Sequence, residues 1–351
     1  MLNDIKISDK FIGKNQPVFI IAEAGVNHNG RLDLALKLVD AAAAAGADAV
    51  KFQTFRAEQV VIASGEMAEY QKKNLGKTES QLKMLKKLEL PENFYPALIK
   101  RCREKKIIFL STPHGGFDSV DLLQRLKVPA FKFGSGDLTN LPLIDYAAKL
   151  GKPMVLGTGM ATLNEVREAI KTIKKAGNNK IIILHCTTNY PCPLNQVNLC
   201  AMLNMRKKLS ALVGYSDHTL GIEVPIMVAT LGACLIEKHF TLNKNMAGPD
   251  HKASIEPVEL ACLVSAVRQV EIIMGSGEKK PTANEIKISL LGRKSLVSLR
   301  EINKGEKFNK DNLGIKRPGS GLAPRHYFKV LGKSAKRSVK KDSLITLKDF
   351  R

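Results

Sequence analysis

The sequence predicts an α/β protein: a closed barrel of eight parallel strands and eight helices, (β/α)8, followed by a small domain of short strands and turns. Three observations carry this expectation. Residues 18–274 repeat one theme, an apolar β-branched run, then a polar cluster with Gly or Pro, then a helical stretch. Eight such units in roughly 250 residues match the size of a closed barrel. The stretch GSGEKKPTANEI, residues 275–286, is polar with Gly and Pro, and the pattern changes after it. A doubly wound open sheet is the alternative topology for the same alternation.

The strand runs, in order, are VFIIAEAG (18–25), AVKFQTF (49–55), IIFLSTP (107–113), AFKFGSG (130–136), PMVLGTG (153–159), IIILHCT (181–187), ALVGYSD (211–217) and CLIEKHF (234–240). Each is short, rich in β-branched or aromatic residues and closed by turn formers. Helices are predicted between them, among them LDLALKLVDAAAAAGA (32–47), TLNEVREAIKTIKKAG (162–177), GIEVPIMVATLGA (221–233) and PVELACLVSAVRQVEIIMG (257–275), with apolar residues at helical spacing. The expected organisation is a barrel over 1–276, a linker over 277–288 and a small domain over 289–351. In that last part, SLVSLREINKGEKFNKDNLGIKRPG reads as strands and turns.

Every strand run ends on polar groups. They are Glu23; Lys51 and Gln53; Ser111 and Thr112; Lys132 and Ser135; Thr158; His185 and Thr187; Ser216, Asp217 and His218; Glu237 and His239. In a barrel the C-terminal strand ends and the loops after them form one mouth, so these groups are expected to converge there. Period two places Lys51 with Gln53, and Glu237 with His239, on one side of their strands. Lys51, Lys132, Ser135 and Ser216 suit a phosphate, through ammonium charge and hydroxyl donors. His218 and His239 end adjacent strands and suit a divalent metal that polarises a carbonyl. A strand-end lysine such as Lys132 also suits a Schiff base, and Lys238 beside Glu237 suits a simple ion pair. His28 suits a role in orienting loop backbone, while His114 and His326 have no evident partner.

Composition narrows the class. No run approaches the roughly 18 apolar residues of a membrane span. The first residues, MLNDIKISDKFIGK, are charged from the fourth and lack an apolar core, so no secretory signal is expected. Six cysteines show no CxxC spacing, which fits reduced thiols and a cytoplasmic setting. The net charge is +22, and residues 289–351 hold 17 Lys/Arg against 5 Asp/Glu. These charges lack aromatic interleaving and any nucleic-acid module signature, so they read as a basic surface that attracts anions. A non-catalytic anion or nucleic-acid binder is the reading from another class.

The motifs EAGVNHNG, KFQTF, FLSTP, FKFGSGD, GTGMAT, HCTTNYP, GYSDHT, EKHFTL, GPDHKAS and KRPGSG, in this order, resemble the sialic acid synthases over essentially the whole chain. The resemblance implies a (β/α)8 barrel followed by an antifreeze-like SAF domain. It implies condensation of phosphoenolpyruvate with N-acetylmannosamine and water to give N-acetylneuraminate and phosphate. The same chemistry on 2,4-diacetamido-2,4,6-trideoxymannose, giving N,N'-diacetyllegionaminate, or on N-acetylmannosamine 6-phosphate, is also compatible. By the likeness a divalent metal, Mn2+ with Mg2+ or Co2+ as alternatives, binds His218 and His239. Phosphoenolpyruvate falls to Lys51, Lys132, Ser135, Thr188 and Ser216, and the sugar to Glu23, Gln53, Tyr190 and Asp250. Glu23, Asp137, His218 and His239 are the implied catalytic set. A domain-swapped homodimer is implied too, in which Arg317 reaches the sugar's N-acetyl group across the interface. Two positions depart from the bacterial pattern: Asp137 stands where Glu is found, and Thr188 where Asn is found.

Overall fold

The computed structural model describes residues 3–76 and 78–351. The chain divides into two compact units, one ending at Gly275 and the other Ser276–Arg351. The first opens with an antiparallel hairpin, β1 (Ile5–Ile7) and β2 (Lys10–Ile12). Eight parallel strands follow: β3 (Phe19–Gly25), β4 (Ala49–Thr54), β5 (Ile108–Pro113), β6 (Phe131–Phe133), β7 (Met154–Gly157), β8 (Ile181–His185), β9 (Leu212–Asp217) and β10 (Leu235–His239). They pair in the order β5-β4-β3-β10-β9-β8-β7-β6, and β5 lies against β6, which closes the barrel. The open-sheet alternative is thereby excluded.

Helices return the chain between strands: α1 (Leu32–Ala44) after β3, then α2 (Ala57–Val60), α3 (Glu69–Leu75), α4 (Gln81–Lys86) and α5 (Tyr95–Glu104) between β4 and β5. After them come α6 (Gly116–Arg125), α7 (Leu141–Lys149), α8 (Leu163–Lys175), α9 (Leu199–Lys208), α10 (Glu223–Thr230) and α11 (Pro257–Met274). Helix α8 shows why these boundaries form where they do. Thr162 Oγ1 accepts the Glu165 N–H while the Glu165 carboxylate accepts the Thr162 N–H, satisfying two N-terminal amides reciprocally. Among the described residues no helix is long and apolar enough to cross a membrane.

Strand alternation builds two cores. One face of the strands packs against the helices, with Val50, Phe52, Phe131, Phe133, Ile183 and Val213 among its buried members. The other face fills the barrel with Phe19, Ile21, Ala49, Leu110, Val155, Ile182, Leu184 and Leu235. Ile5, Ile7 and Ile12 of the hairpin join this inner core. The hairpin therefore stoppers the barrel floor, a role no repeat in the sequence announces.

In the second unit, β11 (Ser295–Ser298) and β12 (Leu313–Lys316) form an antiparallel pair around a core of Leu296, Ile302, Phe308, Leu313, Val330 and Ile345. Helix α13 (Tyr327–Val330) supplies Val330. The stretch 277–288, expected as linker, is helical from its seventh residue: α12 spans Ala283–Gly292. The reason is local, since Thr282 and Glu285 form a reciprocal cap across a sequence otherwise read as polar spacer.

Candidate active site

Four buried charges form the floor of a cavity at the C-terminal strand ends. Glu23 on β3 and Lys51 on β4 are register partners, as are Glu23 and His239 on β10. Lys51 Nζ lies 2.6 Å from Glu23 Oε2 and 3.7 Å from Glu237 Oε2, and it donates to Thr112 Oγ1 at 3.1 Å. Lys132 Nζ lies 3.0 Å from Glu237 Oε1, which also accepts from Ser216 Oγ at 3.2 Å. All four charged side chains are less than a tenth exposed. Burying them is tolerable because two cations face two anions. Among the described residues the Glu23 and Glu237 Oε2 atoms lack an aligned hydrogen bond, so their contacts with the lysines are chiefly electrostatic.

Burial raises the Glu23 carboxyl above its ordinary range, against the opposing pull of Lys51. Burial likewise lowers Lys51, against Glu23 and Glu237. For Glu237 burial works upward, but Lys132 and Lys51 outweigh it and hold the carboxyl down to about 2. Burial works downward on Lys132, yet Glu237 and Glu23 overcome it and raise the ammonium. The floor thus keeps one firmly charged pair, Lys132 with Glu237, beside a more labile one.

His218 and His239 sit beside this floor with ring centroids 5.4 Å apart. His218 Nδ1 is 2.7 Å from the Thr187 carbonyl, so it carries the proton and Nε2 keeps its lone pair. His239 Nδ1 is buried with no hydrogen-bond partner among the described residues. Burial lowers both imidazoles, and the charge of His218 lowers His239 further. Two neutral imidazoles with unused ring nitrogens fit a divalent cation. Among the described residues no third His, Cys, Asp or Glu joins them, so such an ion would keep positions open for small-molecule oxygens. The Tyr190 ring covers His218 at 4.2 Å and His239 at 5.4 Å, and Tyr70 of α3 stacks on Tyr190 at 5.1 Å.

A hydroxyl cradle closes the side formed by β6, β7 and β8. The Gly159 N–H donates to Ser135 Oγ at 2.9 Å and points at Cys186 Sγ at 3.1 Å. A Cβ on Gly159 would lie 2.0 Å from Thr188 Oγ1 and 2.9 Å from Ser135 Oγ, so only glycine leaves room for these donors. On the opposite side Gln53 donates to Glu23 Oε1 at 3.3 Å. Asp250 is buried in the same cavity, and burial, aided by the Glu23 charge, raises it to about 7.

The cavity collects Glu23, Lys51, Gln53, Lys132, Ser135, Thr188, Tyr190, Ser216, His218, His239 and Asp250 of the expected residues. Asp137 is not among its lining. It sits in a short helical turn, Ser135–Asp137, beyond β6, and its Oδ2 lies 3.4 Å from His114 Nδ1. His114, which has no evident partner in the sequence, lines the cavity in its place. Not every strand-end polar group converges, either. Ser111, Thr158, His185 and Asp217 fall on the helix-facing side, because each is one residue out of phase with an inward group. Their partners are Thr54, the Leu184 carbonyl, the Val197 carbonyl and Lys238 respectively. Lys238 accordingly pairs with Asp217, its register partner, and not with its sequence neighbour Glu237. Arg317 is an exposed residue of the second unit.

Sequence reasoning missed Cys186, and although LGKTESQLKMLKKLEL (75–90) resembles a sugar-covering loop, it named no lining residue there; the segment from α2 to Leu88 lines the cavity through Val60, Tyr70, Gln71, Gln81, Met84, Leu85 and Leu88. The available signal was length: 40 residues lie between Thr54 and Tyr95 of α5, far more than any other strand-to-helix connection needs.

Residues 38–279 match the NeuB family and residues 293–351 match the SAF domain. The chain is 49% identical to the N,N'-diacetyllegionaminic acid synthase of Campylobacter jejuni, covering 93% of this chain and 98% of that protein. It is 46% identical to the enzyme of the same name from Legionella pneumophila, over 91% of each. Among solved structures, an N-acetylneuraminic acid synthetase from Leptospira borgpetersenii matches with a TM-score of 0.72 and 34% identity, covering 82% of this chain and 95% of that one. The chain therefore belongs to the NeuB family, the sialic and legionaminic acid synthases, and is an enzyme of that family with a C-terminal SAF domain.

Proposed function

We propose that this enzyme condenses phosphoenolpyruvate with 2,4-diacetamido-2,4,6-trideoxymannose and water, releasing phosphate and N,N'-diacetyllegionaminate. The observation that carries the condensation is the meeting, in one cavity, of a charged floor, a hydroxyl cradle and an imidazole pair. The choice of sugar is supported by the 49% and 46% identity to the two legionaminic acid synthases. N-Acetylmannosamine, the first expectation from the sequence, is the second reading, supported by the likeness to the Leptospira synthetase.

In this reading phosphoenolpyruvate binds over Lys51 and Lys132, with phosphate oxygens taken by Ser135, Ser216, Thr188 and the Gly159 N–H. The anion replaces part of the carboxylate pairing of the lysines, which the unaligned Oε2 atoms of Glu23 and Glu237 permit. His218 and His239 would hold a divalent metal, which would supply Lewis-acid polarisation of the sugar's aldehyde. C3 of phosphoenolpyruvate attacks that carbon, and the cation left at C2 takes up water before phosphate departs. Gln53, Tyr190 and Asp250 orient the sugar. Glu23, raised by burial, receives and returns protons at the sugar hydroxyls. Asp137 acts through His114, whose ring faces the cavity. Positioning both substrates contributes up to about 7–11 kcal/mol in favourable cases.

The test is phosphate release from phosphoenolpyruvate with the diacetamido sugar, N-acetylmannosamine or its 6-phosphate, with and without EDTA. The proposal expects release with the diacetamido sugar that EDTA abolishes and added Mn2+ restores. Release unaffected by EDTA would remove the metal, and release with no sugar of the three would remove the condensation.

A further inference from the structure

One flank of the cavity differs chemically from its floor. Helix α4 turns Lys83 and Lys86 outward, with Lys86 held to Glu58 at 2.6 Å, and turns Met84 and Leu85 inward. Met84, Leu85 and Leu88 line the cavity together with Val26 and Val60. These five share an apolar cluster with Phe55, Ala57 and Met67, separate from both barrel cores. The flank is therefore built and rigidly backed. Among the described residues the lysines of the cavity lining are Lys51 and Lys132, both on the floor and paired with carboxylates. Gln81, at the start of α4, also lines the cavity, and its side-chain amide makes no hydrogen bond among the described residues.

We propose that this flank determines sugar specificity by receiving the unsubstituted methyl at C6 of a 6-deoxy sugar. Gln81 beside it receives an N-acyl group at C4. This inference rests on the phosphoenolpyruvate–sugar reading of the same site. A C6 hydroxyl placed against Val60, Met84 and Leu88 loses its water without gaining a partner. A 6-phosphate there meets no cation among the described lining residues, and its charge is stripped of water without a partner. The floor, by contrast, is indifferent to C6, because its groups serve the reacting end. An apolar wall rejects an added hydroxyl only modestly, by about 10- to 200-fold, whereas it excludes a phosphate.

The experiment compares kcat/KM for the diacetamido-trideoxy sugar, N-acetylmannosamine and its 6-phosphate in the full-length enzyme and in Val60→Gln and Met84→Gln. The wild type is expected to favour the deoxy sugar by at least about 10-fold. Each variant is expected to erase most of that preference through the sugar KM, while the phosphoenolpyruvate KM stays within about two-fold. Val60 is half-buried, so Val60→Gln remains informative should Met84→Gln fold poorly. An active wild type that prefers N-acetylmannosamine or its phosphate overturns the inference and leaves the condensation standing. So does an unchanged preference in a folded Val60→Gln variant. A wild type that releases no phosphate with any sugar overturns the underlying reading, and this inference with it.

Discussion

At the scale of single residues, the most informative group is Asp250. Burial, with Glu23 nearby, raises its carboxyl from the ordinary 3.8 to about 7. Between those values the folded protein holds a proton that the unfolded chain has released. Stability from this group is therefore fully present below about pH 4 and is lost as pH rises toward 7, by up to about 4 kcal/mol. Denaturation of the ligand-free enzyme across that range should show the slope, and Asp250→Asn should flatten it. His239 gives a second test, since its Nδ1 is buried without a partner among the described residues and its ring is neutral far into acid. His239→Ala is expected to abolish turnover and weaken Mn2+ binding, followed by the paramagnetic signal of the free ion. Near-normal metal-dependent phosphate release by this variant would defeat the imidazole assignment. Gly159→Ala should act differently. The added methyl displaces the Thr188 and Ser135 hydroxyls, so the phosphoenolpyruvate KM should rise about ten-fold or more while the sugar KM holds.

The scale of elements explains which residues the sequence revealed and which it hid. Period two along β4 and β10 correctly paired Lys51 with Gln53 and Glu237 with His239 as inward groups. The same period sends Lys238 outward, where parallel register sets it beside Asp217. That buried pair, reinforced by the Lys238 bond to the Thr219 carbonyl, ties β9 to β10 directly behind His218 and His239. Removing one partner strands the other charge, so Lys238→Met should cost about 3–5 kcal/mol of stability. Adding Asp217→Asn to it should recover part of the loss, measured by urea denaturation. Full stability in Lys238→Met would show that the tie contributes nothing. Asp137, implied by the family likeness alone, lies outside the cavity lining for a related reason. The β6 strand ends at Phe133 and the chain turns helically over Ser135–Asp137, so strand periodicity no longer says where its carboxylate points. Which residues of the α2–α4 segment line the cavity was illegible because the segment is an insertion outside the repeating unit. No period carried over from the other connections predicts what it covers.

For the whole molecule, the net charge of +22 coexists with a cavity floor whose cations and anions balance. The excess therefore lies elsewhere on the chain. A net positive charge of this size draws anions toward a protein without binding them in place. The rate of phosphoenolpyruvate capture should consequently fall with added salt while the bound complex turns over at an unchanged rate, readable as a drop in kcat/KM with constant kcat. A kcat that fell in parallel would place the salt effect in the chemistry instead.

Eight apolar runs with helical returns were enough to specify a closed barrel, because hydrophobic periodicity and turn chemistry are local properties of the chain. The same runs named most of the cavity, since a barrel gathers its strand ends wherever they occur in the sequence. Folding itself was needed to divide polar strand ends into those facing the cavity and those facing helices. It also gave Lys238 to Asp217 and Asp137 to His114, and brought Met84 and Leu88 against a charged floor. Those outcomes depend on inter-strand register and on the path of an insertion. Both are set by packing between segments distant along the chain, and no local pattern encodes them.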